Sequence, residues 1–269
     1  MNTFIPDNTE INTALARTTH LCIAAHQDDI EIMAYDGILK CFGSREKYFT
    51  GVVVTNGSGS PRSGIYADYT DEEMQKIRVE EQKKAAIIGE YAAQVFMDYP
   101  SAPVKEKGNQ QVIDDMKDII EKTKPQFIYT HNLADKHDTH VGVALKVIRA
   151  LRELGYKPEK VYGCEVWRGL DWLNDSDKVK FDTTGRPNLE NALLGAFDSQ
   201  IAGGKRYDLA TVGRRLANAT YSESHGVDET NSLMFAMDLT PLLEKDVDIA
   251  GFVINHINNF AEDVKKRLL

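Results

Sequence analysis

Two short stretches of this sequence concentrate groups that do chemistry. The first is AHQDDIEI, residues 25–32, which sets His26, Asp28 and Asp29 directly after an apolar run. The second is THNLADKHDTHVG, residues 130–142, which holds three of the seven histidines together with Asp135 and Asp138. Ionisable groups are costly to desolvate, so a buried strand that runs into three of them ends either in a crowded polar turn or in a site. Convergence of the two stretches would assemble His26, Asp28, Asp29, His137 and His140. Two imidazoles and one carboxylate around a divalent ion, with a position left for water, make the ligand set of a catalytic zinc site. The remaining carboxylate and imidazole can then serve as general base and general acid. His137 and His140 stand three apart at an expected helix start, capped by Asp138 or Thr139, which can aim both rings into one crevice. A lone His-x-x-His is more often a solvated surface and a lone Asp-Asp more often a turn. Their joint placement at two strand ends is what points to a metal.

That placement depends on the surrounding elements. Apolar runs at 21–25, 49–55, 95–97, 127–130 and 160–167 read as strands. Helical periodicity marks 71–89, with Thr70 or Asp71 as its cap, then 111–124, 140–154, 188–196 and 207–219. A long amphipathic helix closes the chain at 246–269. The alternation predicts an α/β fold, a single-domain Rossmann-like, mostly parallel sheet flanked by helices. Residues 1–18 are polar and irregular and read as an N-terminal arm before one domain spanning 19–269. Ligands of open parallel sheets sit beyond the carboxyl ends of the strands. Both stretches lie at such ends, as does the Gly/Ser/Pro loop at 56–69, whose length suits a lid or binding loop.

With 269 residues the chain can bury a sizeable core. A net charge of −9 disfavours nucleic acid as a partner. No apolar run approaches the length of a membrane span, and the first residues lack the basic and apolar segments of a secretory signal. The three cysteines, Cys22, Cys41 and Cys164, are scattered, with neither a metal pair nor a disulfide framework, which fits a reducing, cytoplasmic setting.

Ala25-His26-Gln27-Asp28-Asp29 resembles the Ala/Pro-His-Pro-Asp-Asp motif of the PIG-L/LmbE-like zinc-dependent de-N-acetylases. Asp135-Lys136-His137-Asp138-Thr139-His140 resembles their Asp-x-His-Pro-Asp-His motif. Between these, Thr55-Asn56-Gly57 and Arg78-Val79-Glu80-Glu81 are similar to the family's Thr-Asp-Gly loop and Arg-x-x-Glu helix. Asp98-Tyr99-Pro100 and Ser199-Gln200 follow in the same order. The resemblance implies an LmbE-like fold and removal of an N-acetyl group from an N-acetylglucosamine-type sugar conjugate. It implies Zn²⁺ held by His26, Asp29 and His140, although Fe²⁺ or Co²⁺ suits the same donors. It makes Asp28 the general base and protonated His137 a group that holds the oxyanion, with His137 or protonated Asp28 supplying the proton to the amine. Arg78, Asn56 and Asp135 would contact substrate.

The sequence also departs from the pattern. Gln27 replaces a proline, Asp138-Thr139 stands where Pro-Asp is usual, and Phe197 stands where a histidine is frequent, with His225 as a candidate to fill that place in space. Hydrolysis of another small amide or ester, or a sugar- or metal-binding homologue without turnover, are the competing readings. A binding relic has no need of Asp28 beside the metal. Arg78 reads either as a salt-bridge partner of Glu81 or as a grip on substrate. Tyr66 or Tyr69 offers a stacking surface to a sugar or belongs to a solvated loop, Trp167 and Trp172 line a sugar site or pack in the core or an interface, and Glu165 and Asp171 accept from hydroxyls or face solvent. Lys205-Arg206 and Arg214-Arg215 can meet a phosphate, face solvent or make subunit contacts. The closing helix, with Ile249, Phe252, Val253, Ile257 and Phe260, suits the core or a homo-oligomer contact.

Overall fold

The computed structural model describes residues 1–269. In chain order the elements are β1 (Asn2–Phe4), α1 (Ile11–Ala16), β2 (His20–Ala24), α2 (Asp29–Met33), α3 (Tyr35–Cys41) and β3 (Phe49–Thr55). Next come α4 (Asp71–Ile88), β4 (Ala93–Tyr99), α5 (Ser101–Lys105), α6 (Gln110–Thr123), β5 (Phe127–His131), α7 (Asp138–Leu154) and β6 (Lys160–Cys164). The last third holds β7 (Lys178–Asp182), α8 (Pro187–Gly195), α9 (Asp198–Ile201), α10 (Tyr207–Tyr221), β8 (Leu233–Asp238) and α11 (Ile249–Leu268).

The strands form one sheet in the order β1-β4-β3-β2-β5-β6-β8-β7. The five central strands β4, β3, β2, β5 and β6 are parallel. Strand β1 and the β8-β7 pair are antiparallel additions at the two edges. All seven residues of β3 are buried, as a strand covered on both faces requires. Each face carries its own apolar cluster, one around Ile23, Val52 and Ile128, the other around Ala24, Val53 and Tyr129.

Local chemistry fixes the flanking helices. Thr70 and Glu73 form a reciprocal capping box at the start of α4. Helix α6 buries Val112, Ile113, Met116, Ile119 and Ile120 on one stripe. Gly155, in the left-handed region, ends α7. Within α7, Gly142 lets α5 approach closely, since a Cβ there would lie 2.5 Å from the Val104 carbonyl oxygen. One turn on, Lys146 Nζ donates to that same oxygen at 2.7 Å and to the Glu106 carbonyl at 2.6 Å.

Strand β2 has β3 on one side and β5 on the other. The chain therefore departs in opposite directions from neighbouring carboxyl ends, and a crevice opens between them. His26–Asp29 follows β2 and the 130–142 stretch follows β5, so the switch point brings the two stretches together.

Three elements differ from the sequence reading. The expected arm instead lays β1 along β4 and buries Ala14 and Leu15. Helix α7 begins at Asp138 with His137 in the cap position, so neither Asp138 nor Thr139 caps it. Strand β6 stops at Cys164 because the buried Glu165 carboxylate turns the chain, accepting the N–H groups of Leu170 and Phe235 at 3.3 and 3.1 Å. No helix is long and apolar enough to cross a membrane.

Candidate active site

The turn after β2 is held in an unusual shape. Asp28 has φ +85°, a region that aspartate visits only with local support. Helix α4 supplies the support. Gln82 Oε1 accepts the Asp28 N–H at 3.3 Å, and Arg78 donates to the Gln27 carbonyl while its guanidinium lies 3.5 Å from Asp28 Oδ2. Gln27 Nε2 reaches the Thr55 carbonyl at 3.4 Å. Gln27 also packs on Gly57, which has φ +77° and no room for a side chain, since a Cβ would sit 2.6 Å from Gln27 Oε1. The ends of β2 and β3 are thereby tied together.

From the other side of the switch point, α7 projects His140 onto this turn. Asp29 Oδ2 lies 3.1 Å from His26 Nδ1 and 3.3 Å from His140 Nε2, and these two nitrogens are 3.2 Å apart. The three donors form a nearly equilateral triangle. A tetrahedral ion with bonds near 2.0 Å has edges of about 3.3 Å, so the triangle matches one face of such a coordination sphere. Behind it, Asp135 Oδ2 faces His140 Nδ1 at 3.4 Å, the carboxylate–histidine arrangement that orients a metal ligand.

Two overlapping sets of donors are also close-spaced, His26 with His137 and His140, and Asp29 with His131 and His140. His131 is the residue that sequence reasoning passed over. Its Nε2 accepts the Ala25 N–H at 2.8 Å, and its ring stacks on His140 with centroids 3.9 Å apart. A nitrogen that already accepts a hydrogen bond has no lone pair left for an ion, so His131 pins β2 to β5 instead. The signal available was its position as the last residue of a strand.

The electrostatics ask for a cation. Burial opposes charge on His140, yet Asp29 and Asp135 outweigh it and raise the imidazole to about 9. Burial likewise opposes the Asp29 carboxylate, but His140, His26 and His131 hold it well below its usual range. Burial pushes Asp28 up to about 7 against the pull of Arg78. Burial, then His140 and His26, push His137 down to about 4. That direction runs against the protonated His137 expected from the resemblance. No carboxylate accepts from that ring, because Asp135 spends one oxygen on the His137 backbone N–H and the other on His140 and the Trp167 N–H.

These groups open into a cleft of about 530 Å³. His26, Asp28, Asp29, Arg78 and His137 line it, with Trp167, Tyr207 and the 57–61 end of the long loop as walls. His140 lies just beneath, fully buried. Two expected substrate contacts do not reach the cleft. Asp135 is buried behind His140, and Asn56 turns its side chain to the Ser58 N–H at 3.2 Å. Tyr66 is held away by Asp198 at 2.7 Å, Trp172 packs on the core, and His225 is exposed and does not line the cleft. Phe197 is simply apolar core. Glu81 does not pair with Arg78; it accepts both the N–H and the hydroxyl of Ser199 at 2.6 Å, which joins two of the recognised motifs into one clamp.

The family model described as PIG-L, GlcNAc-PI de-N-acetylase, matches residues 21–151, just under half of the chain. No curated protein matches. Among solved structures, the 4-carboxy-2-hydroxymuconate hydratase of Pseudomonas putida KT2440 is 18% identical with TM-score 0.64, covering 86% of this chain and 100% of that one. The N,N'-diacetylchitobiose deacetylase of Pyrococcus horikoshii is 16% identical with TM-score 0.60, over 81% of this chain and 83% of its own. A zinc-inhibited form of the teicoplanin deacetylase Orf2 is 13% identical with TM-score 0.57, over 86% and 100%. These likenesses establish the fold. Residues 21–151, which carry His26, Asp28, Asp29, His137 and His140, match the PIG-L family model, and the chain shares the α/β fold of these deacetylase structures.

Proposed function

We propose that this protein is a metal-dependent hydrolase that removes the N-acetyl group from an N-acetylglucosamine-type sugar conjugate. The observation that carries the reading is the triangle of His26 Nδ1, Asp29 Oδ2 and His140 Nε2, with Asp28 beside it in the same cleft. His26, Asp29 and His140 would hold the ion, and Zn²⁺ is the assignment, in keeping with the donor set. Bound there, zinc supplies Lewis acidity toward an amide carbonyl and acidifies water.

The chain's own residues do the rest. Asp28 takes a proton from the attacking water, as a carboxylate lifted toward neutrality by burial is suited to do. Arg78 and Gln82 keep that carboxylate in its strained turn. The neutral His137 ring donates a hydrogen bond to the oxyanion that develops on the carbonyl. Asp28, now protonated, delivers its proton to the departing nitrogen, and acetate and a free amine leave. Trp167, in the cleft wall, supplies apolar surface beside the sugar ring. A soluble small-molecule conjugate fits a cleft of this size, and the protein acts in the cytoplasm.

A second reading is water addition to a polyanionic unsaturated acid, as in the hydratase neighbour. The cations in the cleft wall, Lys105, Lys205 and Arg214, favour it. Incubation with a panel of N-acetylglucosamine conjugates, with acetate and free amine both quantified, tests the first reading. Unsaturated di- and tricarboxylates, followed by loss of enoate absorbance, test the second. Amine release from any conjugate supports deacetylation; enoate hydration without amine release replaces it.

A further inference from the structure

The two basic pairs of the last third separate cleanly in the fold. Arg206 pairs with Asp208 at 2.8 Å on the surface. Arg215 is buried against Glu190 at 2.5 Å and caps α2 through the carbonyls of Glu31 and Ile32 at 2.8 and 2.9 Å. Their sequence neighbours behave differently. Lys205 and Arg214 both line the cleft, and neither has a carboxylate within 4.0 Å. Lys205 Nζ sits 5.0 Å from the centre of the Trp167 ring. Arg214 Nη1 donates to the Val166 carbonyl at 2.6 Å, on the residue before that tryptophan. The Trp167 ring is itself 6.4 Å from the ring of His137.

The same cleft wall holds a further cation, Arg78. Arg78 is 2% exposed, and its Nε and Nη1 find no partner in the protein. A buried guanidinium with two orphaned donors is costly unless something in the cleft accepts from it. The only acids in the wall are Asp28 and Asp29, and both already face cationic or imidazole partners. A chain of net charge −9 thus presents a cleft wall of opposite sign, which focuses anions toward the site.

We propose that Lys205 and Arg214, beside Trp167, form a subsite for an anionic oxygen group, a carboxylate or a phosphate, carried by the substrate. This rests on reading the cleft as the site for a sugar conjugate, and it names the conjugated part as acidic.

The test is calorimetric titration of the zinc-loaded chain with N-acetylglucosamine 1-phosphate, N-acetylmuramic acid and N-acetylglucosamine. The proposal expects one or both acidic ligands to bind at least about tenfold tighter than the neutral sugar, with the difference shrinking as salt rises. Which acidic ligand wins separates phosphate from carboxylate. Lys205→Gln should remove most of that preference and Lys205→Arg should keep it, which distinguishes lost charge from a misfolded chain. Equal affinity for all three ligands, or an unchanged preference in Lys205→Gln, overturns the subsite. Acid preference without release of amine from any conjugate sinks the deacetylase reading and leaves the subsite standing.

Discussion

Asp135 faces Nδ1 of His140 at 3.4 Å, while Nε2 of the same ring points to Asp29 and His26. The carboxylate expected to touch substrate therefore works one layer behind the donors. It fixes the tautomer that leaves Nε2 free to bind and raises the basicity of the ring. Asp135→Asn should weaken zinc binding by about 10- to 100-fold, measured by competition with a chelator of known affinity. Unchanged zinc affinity with a raised KM would return Asp135 to substrate contact.

Arg78 touches the Gln27 carbonyl and lies 3.5 Å from Asp28. A pure substrate grip would show in KM. A residue that also shapes the Asp28 turn shows in kcat, because the base moves when its support goes. Arg78→Lys should lower kcat about tenfold or more, with KM rising as well. An effect confined to KM would mean that the Asp28 contact is incidental.

Glu81 and Ser199 are separated by 118 residues and joined by two 2.6 Å hydrogen bonds in a buried setting. Ser199→Ala leaves one buried carboxylate oxygen unsatisfied, which should cost about 1–3 kcal/mol in urea denaturation. A double-mutant cycle with Glu81→Gln should show a coupling of about 0.5–3 kcal/mol. Additive effects would dissolve the clamp.

His20 gives the fold a signature in acid. Its ring is buried and stacks on Phe127 with centroids 4.8 Å apart. Burial, assisted by Lys40 and Lys47, lowers it from 6.5 to about 4. Between these values the unfolded chain takes a proton that the folded chain refuses, so stability falls as pH drops through the window and is unaffected above it. The loss at pH 5 is about 2 kcal/mol. His20→Gln should lose less stability than the parent between pH 7.5 and 5, by urea midpoint. Equal losses would assign the acid sensitivity to other groups.

Much of this architecture was legible because it is local. The apolar run of β3 and the stripe on α6 announce themselves by periodicity, and their observed bounds lie within a residue of the reading. The convergence of His26, Asp29 and His140 followed from two strand ends and one topological rule. What stayed hidden depends on distant partners. Strand β1 is only three residues long and exists because β4 offers it an edge. Strands β7 and β8 pair with one another across an intervening helical segment; β7 alternates over only five residues, and β8 does not alternate. His131 looked like the end of a strand, since its role is defined by the N–H of Ala25, 106 residues earlier. Asn56 and Asp135 matched motifs, but motif matching does not say which way a side chain turns.

The central claim is best tested by titrating zinc, up to one equivalent, into chelator-stripped protein while following acetate from the most reactive conjugate. Wild-type protein and Asp28→Asn would be run side by side, with bound metal counted in both. Acetate release should rise with bound zinc to one ion per chain in the wild type. Asp28→Asn should bind the same single ion and release no acetate. Equal acetate release before any metal is added, or failure of Asp28→Asn to hold zinc, would contradict the account.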